Sequence, residues 1–359
     1  MKSPLVSVVI TAYRSGNLLE KAIESVLKQT FRDFEIILVD NNASPETHNI
    51  VRAYTDKYPD RIRTIHEPQQ GACSARNTGI RESKGKYIAL LDDDDMMMPG
   101  RLEKQLQASF DHPDASMITC GADFIDHATG TILFPNVMGA HGKWKILEQH
   151  LRKALKQDFP SRNTDSFLFS YPSTMFFQRQ KAIEAGLFDI RLNPNYGEDH
   201  VFCVQMFACG DFINIPEPLA IYRFNAPSST ATRHSPQKLR FLYLQGHKAF
   251  FVLWETLGKN NPETLSSFRK IAAFHLQIAG RHFLRYSHGT KIARKLLFRA
   301  WKFSPFNREL IKDVIKSRAP QKLLPRLFWF KKQNKDLLPP GIDQCFSESL
   351  FSIPPAWMK

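Results

Sequence analysis

The chain lacks any run near the roughly 18 unbroken apolar residues that a membrane-spanning helix needs, although 43% of its 359 residues are hydrophobic. Its opening residues, MKSPLVSVVITAY, carry one lysine and a short apolar run, without the longer apolar core and small-residue cleavage site of a secretory leader. Cysteine is sparse. Cys73, Cys120, Cys203, Cys209 and Cys345 are odd in number and show neither CxxC nor Cys/His metal spacing. That argues against a disulfide framework or a zinc site and for free thiols in a reducing compartment. A cytoplasmic protein is expected. Acid is scarce in one region: residues 238–335 hold 22 Lys and Arg against 4 Asp and Glu. Residues 1–237 hold 26 and 28 and are almost neutral. The basic part should be drawn to an anionic surface.

What the chain does contain is a regular alternation of two periods. LVSVVITAY, FEIILVD, IRTIHE and KYIALLD read as strands, the first, second and fourth of them apolar and buried. Between them NLLEKAIESVLKQT, SPETHNIVRAYTDKY and ACSARNTGIRES read as helices, with Asn17 as one expected cap and Ser44, followed by Pro45, as another. This β-α-β-α-β-α-β order predicts a parallel sheet covered by helices, whose ligands sit beyond the carboxyl ends of the strands. TAYR, DNNAS and DDDD follow three of those ends and should share one edge. Further on, the pattern predicts a helix from about Arg101 to Phe110, a strand in ASMITCGADFID and a strand turning into a helix in STMFFQRQKAIEAGLFD. A helix opened by acids follows in EDHVFCVQMFACG, then a strand broken by prolines in INIPEPLAIYRF. Residues 129–170 read as irregular, and 225–236 as loop.

The segments VSVVITAYRSGNLLEKAIESVLKQTFRDFEIILVDNNAS, QGACSARNTGIRESKGKYIALLDDDDMMMPGRL and GLFDIRLNPNYGEDHVFCVQMFACGDFINIPEPLAIYR resemble the family 2 glycosyltransferases. The resemblance covers about residues 4–230. It implies the GT-A fold, a Rossmann-like, mostly parallel α/β sheet flanked by helices. It also implies inverting transfer from a nucleotide-diphosphate sugar. In surface glycan, lipopolysaccharide or glycolipid assembly the acceptor would be a glycan or lipid-linked hydroxyl.

A departing diphosphate carries growing negative charge, which a hard divalent cation such as Mg²⁺ or Mn²⁺ can neutralise through oxygen ligands. The family's Asp-x-Asp pattern falls on Asp92 and Asp94. Asp94 is expected as the main metal ligand. Asp92 is the other candidate ligand, and Asp92 or Asp93 is also expected toward the ribose or an outer-shell water. Asp95 has no assigned role beyond turning the chain. The resemblance further implies donor contacts from Thr11, Tyr13, Asp40 and Arg76. The family often has a second acid after the position of Asp40; here Asn41 and Asn42 stand instead. Inversion needs a base opposite the leaving group. The family pattern makes Asp199 that base and Glu198 its support. His234 is a weaker candidate for a diphosphate or metal contact.

The Gln-x-x-Arg-Trp signature of processive synthases is missing, which points to addition of one sugar or a few. Two other readings remain open. A related nucleotidyltransferase would carry a Gly-rich basic loop after the first strand, unlike TAYRSGN. An inactive scaffold would have little reason to keep both acidic motifs. Residues 1–236 are expected to form the catalytic domain, 237–335 a basic α-helical domain and 336–359 a Pro-rich tail. The basic domain interleaves cations with aromatics, as in RKLLFRAWKF. Peripheral contact with an anionic membrane and a merely solvated basic face explain it equally well. No motif supports nucleic-acid binding.

Overall fold

A computed structural model of the chain describes residues 3–137, 170–193, 197–207, 209–224 and 290–318, with the isolated positions 277, 280 and 284. The chain divides into two compact units, Met1–Thr232 and Arg233–Lys359.

In the first unit, strand β1 (Val6–Ala12) is apolar at every position but Ser7 and Thr11, and it buries almost its whole length. It lies between β2 (Phe34–Asp40) and β4 (Tyr87–Asp92), parallel to both, and β3 (Ile62–His66) continues the parallel set beside β2. Helices α1 (Asn17–Leu27), α2 (Pro45–Lys57) and α3 (Ala72–Glu82) form the crossovers. The β-branched side chains fit a sheet covered on both faces, and each full burial contributes about 1.5–3 kcal/mol. Next come β5 (Met96–Met97), α4 (Arg101–Asp111), β6 (Met117–Asp126), β7 (Ile132–Val137), β8 (Phe176–Gln178), α5 (Arg179–Glu184), α6 (Glu198–Phe207) and β9 (Phe212–Phe224). The sheet order is β3-β2-β1-β4-β8-β6-β9-β5, with β7 on the side of β6.

The structure departs from the sequence-based expectations in several places. Asn17 is the first residue of α1 and not its cap. Gly16 occupies the cap position, and its N–H donates to Thr47 Oγ1 at 3.0 Å. Ser44 does cap α2, accepting from the Thr47 N–H. The prolines do not break β9. The register steps from Cys120–Ile215 to Gly121–Pro218, so Pro216 and Glu217 bulge out of the pairing, where the missing N–H of Pro216 costs the ladder nothing. Residues 132–137 form a strand where irregular chain was expected. Residues 138–169, the loop 225–236, most of 237–289 and the tail 336–359 lie outside the described residues, and His234 and Cys345 with them.

In the second unit, α7 (Thr290–Phe303) and α8 (Arg308–Ser317) pack on one another. Ala293, Leu296, Leu297 and Ala300 of α7 are buried, as is Leu310 of α8. Asn307 caps α8, accepting from the Leu310 N–H at 3.1 Å. Among the described residues no helix is long and apolar enough to cross a membrane.

Candidate active site

The register of the parallel strands sets the site. Ala12 lies opposite Asp40, and Thr11 lies opposite both Val39 and Asp92. The three polar segments after β1, β2 and β4 therefore share one edge, as expected. At that edge four carboxylates stand consecutively, and Asp92, Asp93 and Asp95 have different partners.

Asp92 Oδ1 accepts from Arg76 Nη2 at 2.8 Å. Asp93 Oδ2 accepts from the Tyr13 N–H at 2.8 Å and from Ser15 Oγ at 2.7 Å, tying the β4 end to the loop after β1. Burial and the neighbouring Asp94 charge push the Asp93 carboxyl up to about 7. Asp95 is buried. It accepts from Ser173 Oγ at 2.5 Å and from the Arg223 N–H at 3.2 Å. Desolvation, with the charges of Asp94 and Asp92, raises its pKa well above the ordinary carboxylate range. Asp94 is half-buried at the turn itself. Beneath the turn lies Arg101, fully buried. Its Nη2 donates to Leu90 O and Met175 O at 3.2 Å each, and its Nε donates to Gln105 Oε1 at 2.9 Å. Desolvation lowers the Arg101 pKa, against the opposing pull of Cys120 and then of Asp95.

Arg76 is expected at the nucleotide or its phosphates. It is 5% exposed, and its guanidinium bridges two carboxylates. Nη2 holds Asp92, and Nη1 donates to Glu198 Oε1 at 2.9 Å. The guanidinium carbon stands 5.3 Å from the centre of the Phe188 ring. Burial alone would lower the Arg76 pKa, but the two carboxylates outweigh it and the pKa is raised. One fixed cation thus joins the acidic strand end to the first turn of α6. Glu198 is buried, and desolvation and then the Asp199 charge push its pKa up against the pull of Arg76. Asp199 is half-buried.

Helix α3 holds the approach to α6 at two further points. Asn77 makes a two-way pair with the backbone of Phe188, its Nδ2 donating to the carbonyl at 2.8 Å and its Oδ1 accepting from the N–H at 2.9 Å. Asn193 accepts from the Cys73 N–H at 3.1 Å and donates to Ser74 Oγ at 2.8 Å. Gly71, at φ 136°, makes room for this contact, because a Cβ there would come within 2.2 Å of the Asn193 side chain. Gly79 brings α3 close to the sheet: a Cβ would stand 2.3 Å from Val9 Cγ1.

The loop after β2 is built differently. Asp40 Oδ1 accepts from the Ala43 N–H at 2.9 Å, and Oδ2 pairs with His48 Nδ1 at 2.6 Å, so this carboxylate shapes its own turn. Asn41 is buried and fully used. Its Nδ2 donates to the carbonyls of Glu67 and Gln69 at 2.8 Å each, and its Oδ1 accepts from the Gly71 N–H at 2.8 Å. Asn42 takes φ 56°, which asparagine tolerates well, and donates to Pro68 O at 3.0 Å. Tyr13 is 37% exposed at the edge, with the Arg14 guanidinium 4.7 Å from its ring centre.

Ser173, Asn77, Asn193 and Arg101 escaped the sequence reading, and Asn41 was noted only as the residue standing where a second acid is common. Ser173, Asn77 and Asn193 are lone polar residues whose partners are distant in sequence. Among the described residues no three His, Cys, Asp or Glu side chains converge into a ready-made metal cage. A donor set of two aspartates still fits Mg²⁺ or Mn²⁺, since such ions commonly take one or two carboxylates and complete their shell with phosphate oxygens and water.

Residues 7–186 match the model of the family described as glycosyl transferase family 2. The chain is 37% identical over 246 residues to an uncharacterised glycosyltransferase of Methanocaldococcus jannaschii, a match covering 68% of this chain and 79% of that protein. It is 36% identical over 132 residues to one of Rickettsia prowazekii, where the match covers 36% of this chain and only 40% of that protein. In fold it is similar to residues 1–349 of Staphylococcus aureus TarS, solved in complex with UDP-GlcNAc. The TM-score is 0.52 at 14% identity, covering 89% of this chain and 91% of that one.

Proposed function

The chain belongs to glycosyltransferase family 2, and from that premise we propose that it is an inverting, metal-dependent transferase. It moves a sugar from a UDP-linked donor to a hydroxyl of a glycan or lipid-linked acceptor. The observation that carries the reading is the Arg76 bridge, which fixes the donor-side Asp92 and the base-side Glu198 on one buried guanidinium. A protein with the same fold, TarS, holds UDP-GlcNAc.

Asp199 takes the proton of the acceptor hydroxyl as that oxygen bonds to the anomeric carbon from the face opposite the diphosphate. The bond from that carbon to the diphosphate oxygen breaks, its electron pair leaves with UDP, and the configuration inverts. Glu198, held by Arg76, keeps the start of α6 in place and leaves proton transfer to its neighbour. Asp94 and Asp92 would hold Mg²⁺ or Mn²⁺, and the bound cation would supply positive charge against that developing on the diphosphate. Thr11, Tyr13 and Asp93 face the nucleotide side of the edge. Asp40 and Arg76 act there chiefly by holding loops and acids in position. The cation excess of residues 238–335 supports peripheral contact with an anionic membrane, where a lipid-linked acceptor would be met.

Donor hydrolysis and transfer across UDP-, GDP- and dTDP-sugars test this reading. With Mn²⁺, a UDP-sugar should turn over. Asp94→Ala should abolish turnover, and Asp199→Asn should lower transfer by about 10²–10⁴-fold with donor affinity retained. Chelating the metal should weaken donor binding at least about tenfold, ~1.4 kcal/mol. Substantial transfer by Asp199→Asn sinks the base assignment. No donor binding by any of these sugars favours a scaffold.

A further inference from the structure

Helix α7, TKIARKLLFRAWKF, contains no acid. At 3.6 residues per turn, Arg294, Lys295, Phe298, Trp301 and Lys302 fall within one arc of about 120°. Trp301 is half-buried and the other four are exposed. The opposite side is closed: Ala293, Leu296, Leu297 and Ala300 are buried, and Gly280 lies so close that a Cβ there would come within 2.6 Å of Leu297 Cγ. On the open arc the cations and rings touch. Lys302 Nζ stands 5.4 Å from the Phe298 ring centre, and the Phe298 and Trp301 rings are 5.5 Å apart. In the turn that follows, Phe306 is 93% exposed. Neighbouring α8 differs, because it carries Glu309 and Asp313 among its cations.

We propose that this open arc of α7, with Phe306, is the element that docks the protein on an anionic lipid bilayer. The inference rests on the membrane-contact reading above and names the face responsible. Cations alone would suit any polyanion. The exposed phenyl rings decide for a bilayer, since at the headgroup boundary they leave water while the lysines stay among the phosphates. A soluble polyanion would leave Phe298 and Phe306 in water.

Sedimentation of the full chain with vesicles tests the proposal. Vesicles of phosphatidylcholine with roughly one-third phosphatidylglycerol should bind the protein, and pure phosphatidylcholine should bind far less. The double change Lys295→Gln/Lys302→Gln should weaken binding about 30-fold, at roughly fivefold per charge. Phe298→Ser/Phe306→Ser should also release the protein, with its thermal unfolding unchanged. Lys312→Gln, which removes a charge already paired with Glu309 on α8, should do less than Lys302→Gln. Anionic-vesicle binding that ignores all the α7 changes overturns the face and spares the wider membrane reading. No vesicle binding, with binding to soluble polyphosphate instead, overturns both and assigns the face to a polymer. Either result leaves the glycosyltransferase reading standing, because donor turnover is measured without membranes.

Discussion

Like charges crowd together at two places, and the protein treats them in opposite ways. At the strand end, consecutive aspartates are met from within: Asp92 by Arg76, Asp93 by Ser15 and the Tyr13 N–H, Asp95 by Ser173 and the Arg223 N–H. On the outer arc of α7, Lys295 and Lys302 are exposed and Lys302 stands over a phenyl ring, while Arg294 also donates to Ser317 O. A charge fixed by internal hydrogen bonds in a partly desolvated place is held for chemistry that demands position. A charge on a long, solvated stem is held for a surface that only demands sign. The first kind should be costly to remove from the fold and the second nearly free.

The largest expected effect follows from Arg76. Arg76→Met leaves Asp92 and the buried Glu198 without their cation and should destabilise the protein by about 3–5 kcal/mol in urea unfolding. A loss under ~1 kcal/mol would mean that the acids do not depend on it. Ser173→Ala comes next. It strips an acceptor from the Asp92 N–H and a donor from buried Asp95, and should cost about 1–3 kcal/mol by the same measurement. The smallest is Lys302→Gln, which should move stability by no more than about 0.5 kcal/mol. A larger shift would show that α7's arc is part of the fold, and the contrast between the two regions would collapse.

The parallel half of the sheet was plain in the sequence because its signal is local. β1, β2 and β4 are short apolar runs, β3 between its helices is shorter and mixed, and each crossover helix has its own period. The acidic motifs were equally legible, as runs of adjacent carboxylates. The antiparallel half was less so. β5 has two residues and β8 three, too short for any periodicity, and β7 exposes all but one of its side chains. What joins the motifs was invisible for another reason. Arg76, Asn77 and Ser173 act on partners 16 to 122 residues away, and apart from Arg76 with Asp92 no short window of sequence contains both ends. For Arg76 the resemblance pointed to the residue, and the structure adds its two carboxylate partners, Asp92 and Glu198.

Gly79 has a consequence that reaches the chemistry without touching it. With no side chain to hold it off, α3 seats directly on Val9 and Val39, and Arg76, less than one turn earlier, inherits that seating. The spacing between the two acidic motifs is therefore gauged by the thickness of a glycine, as a shim sets the gap between two machined faces. A single methyl group at position 79 would lift the gauge. The expected signature is a fall in kcat in a protein that still carries every acid and still binds its donor.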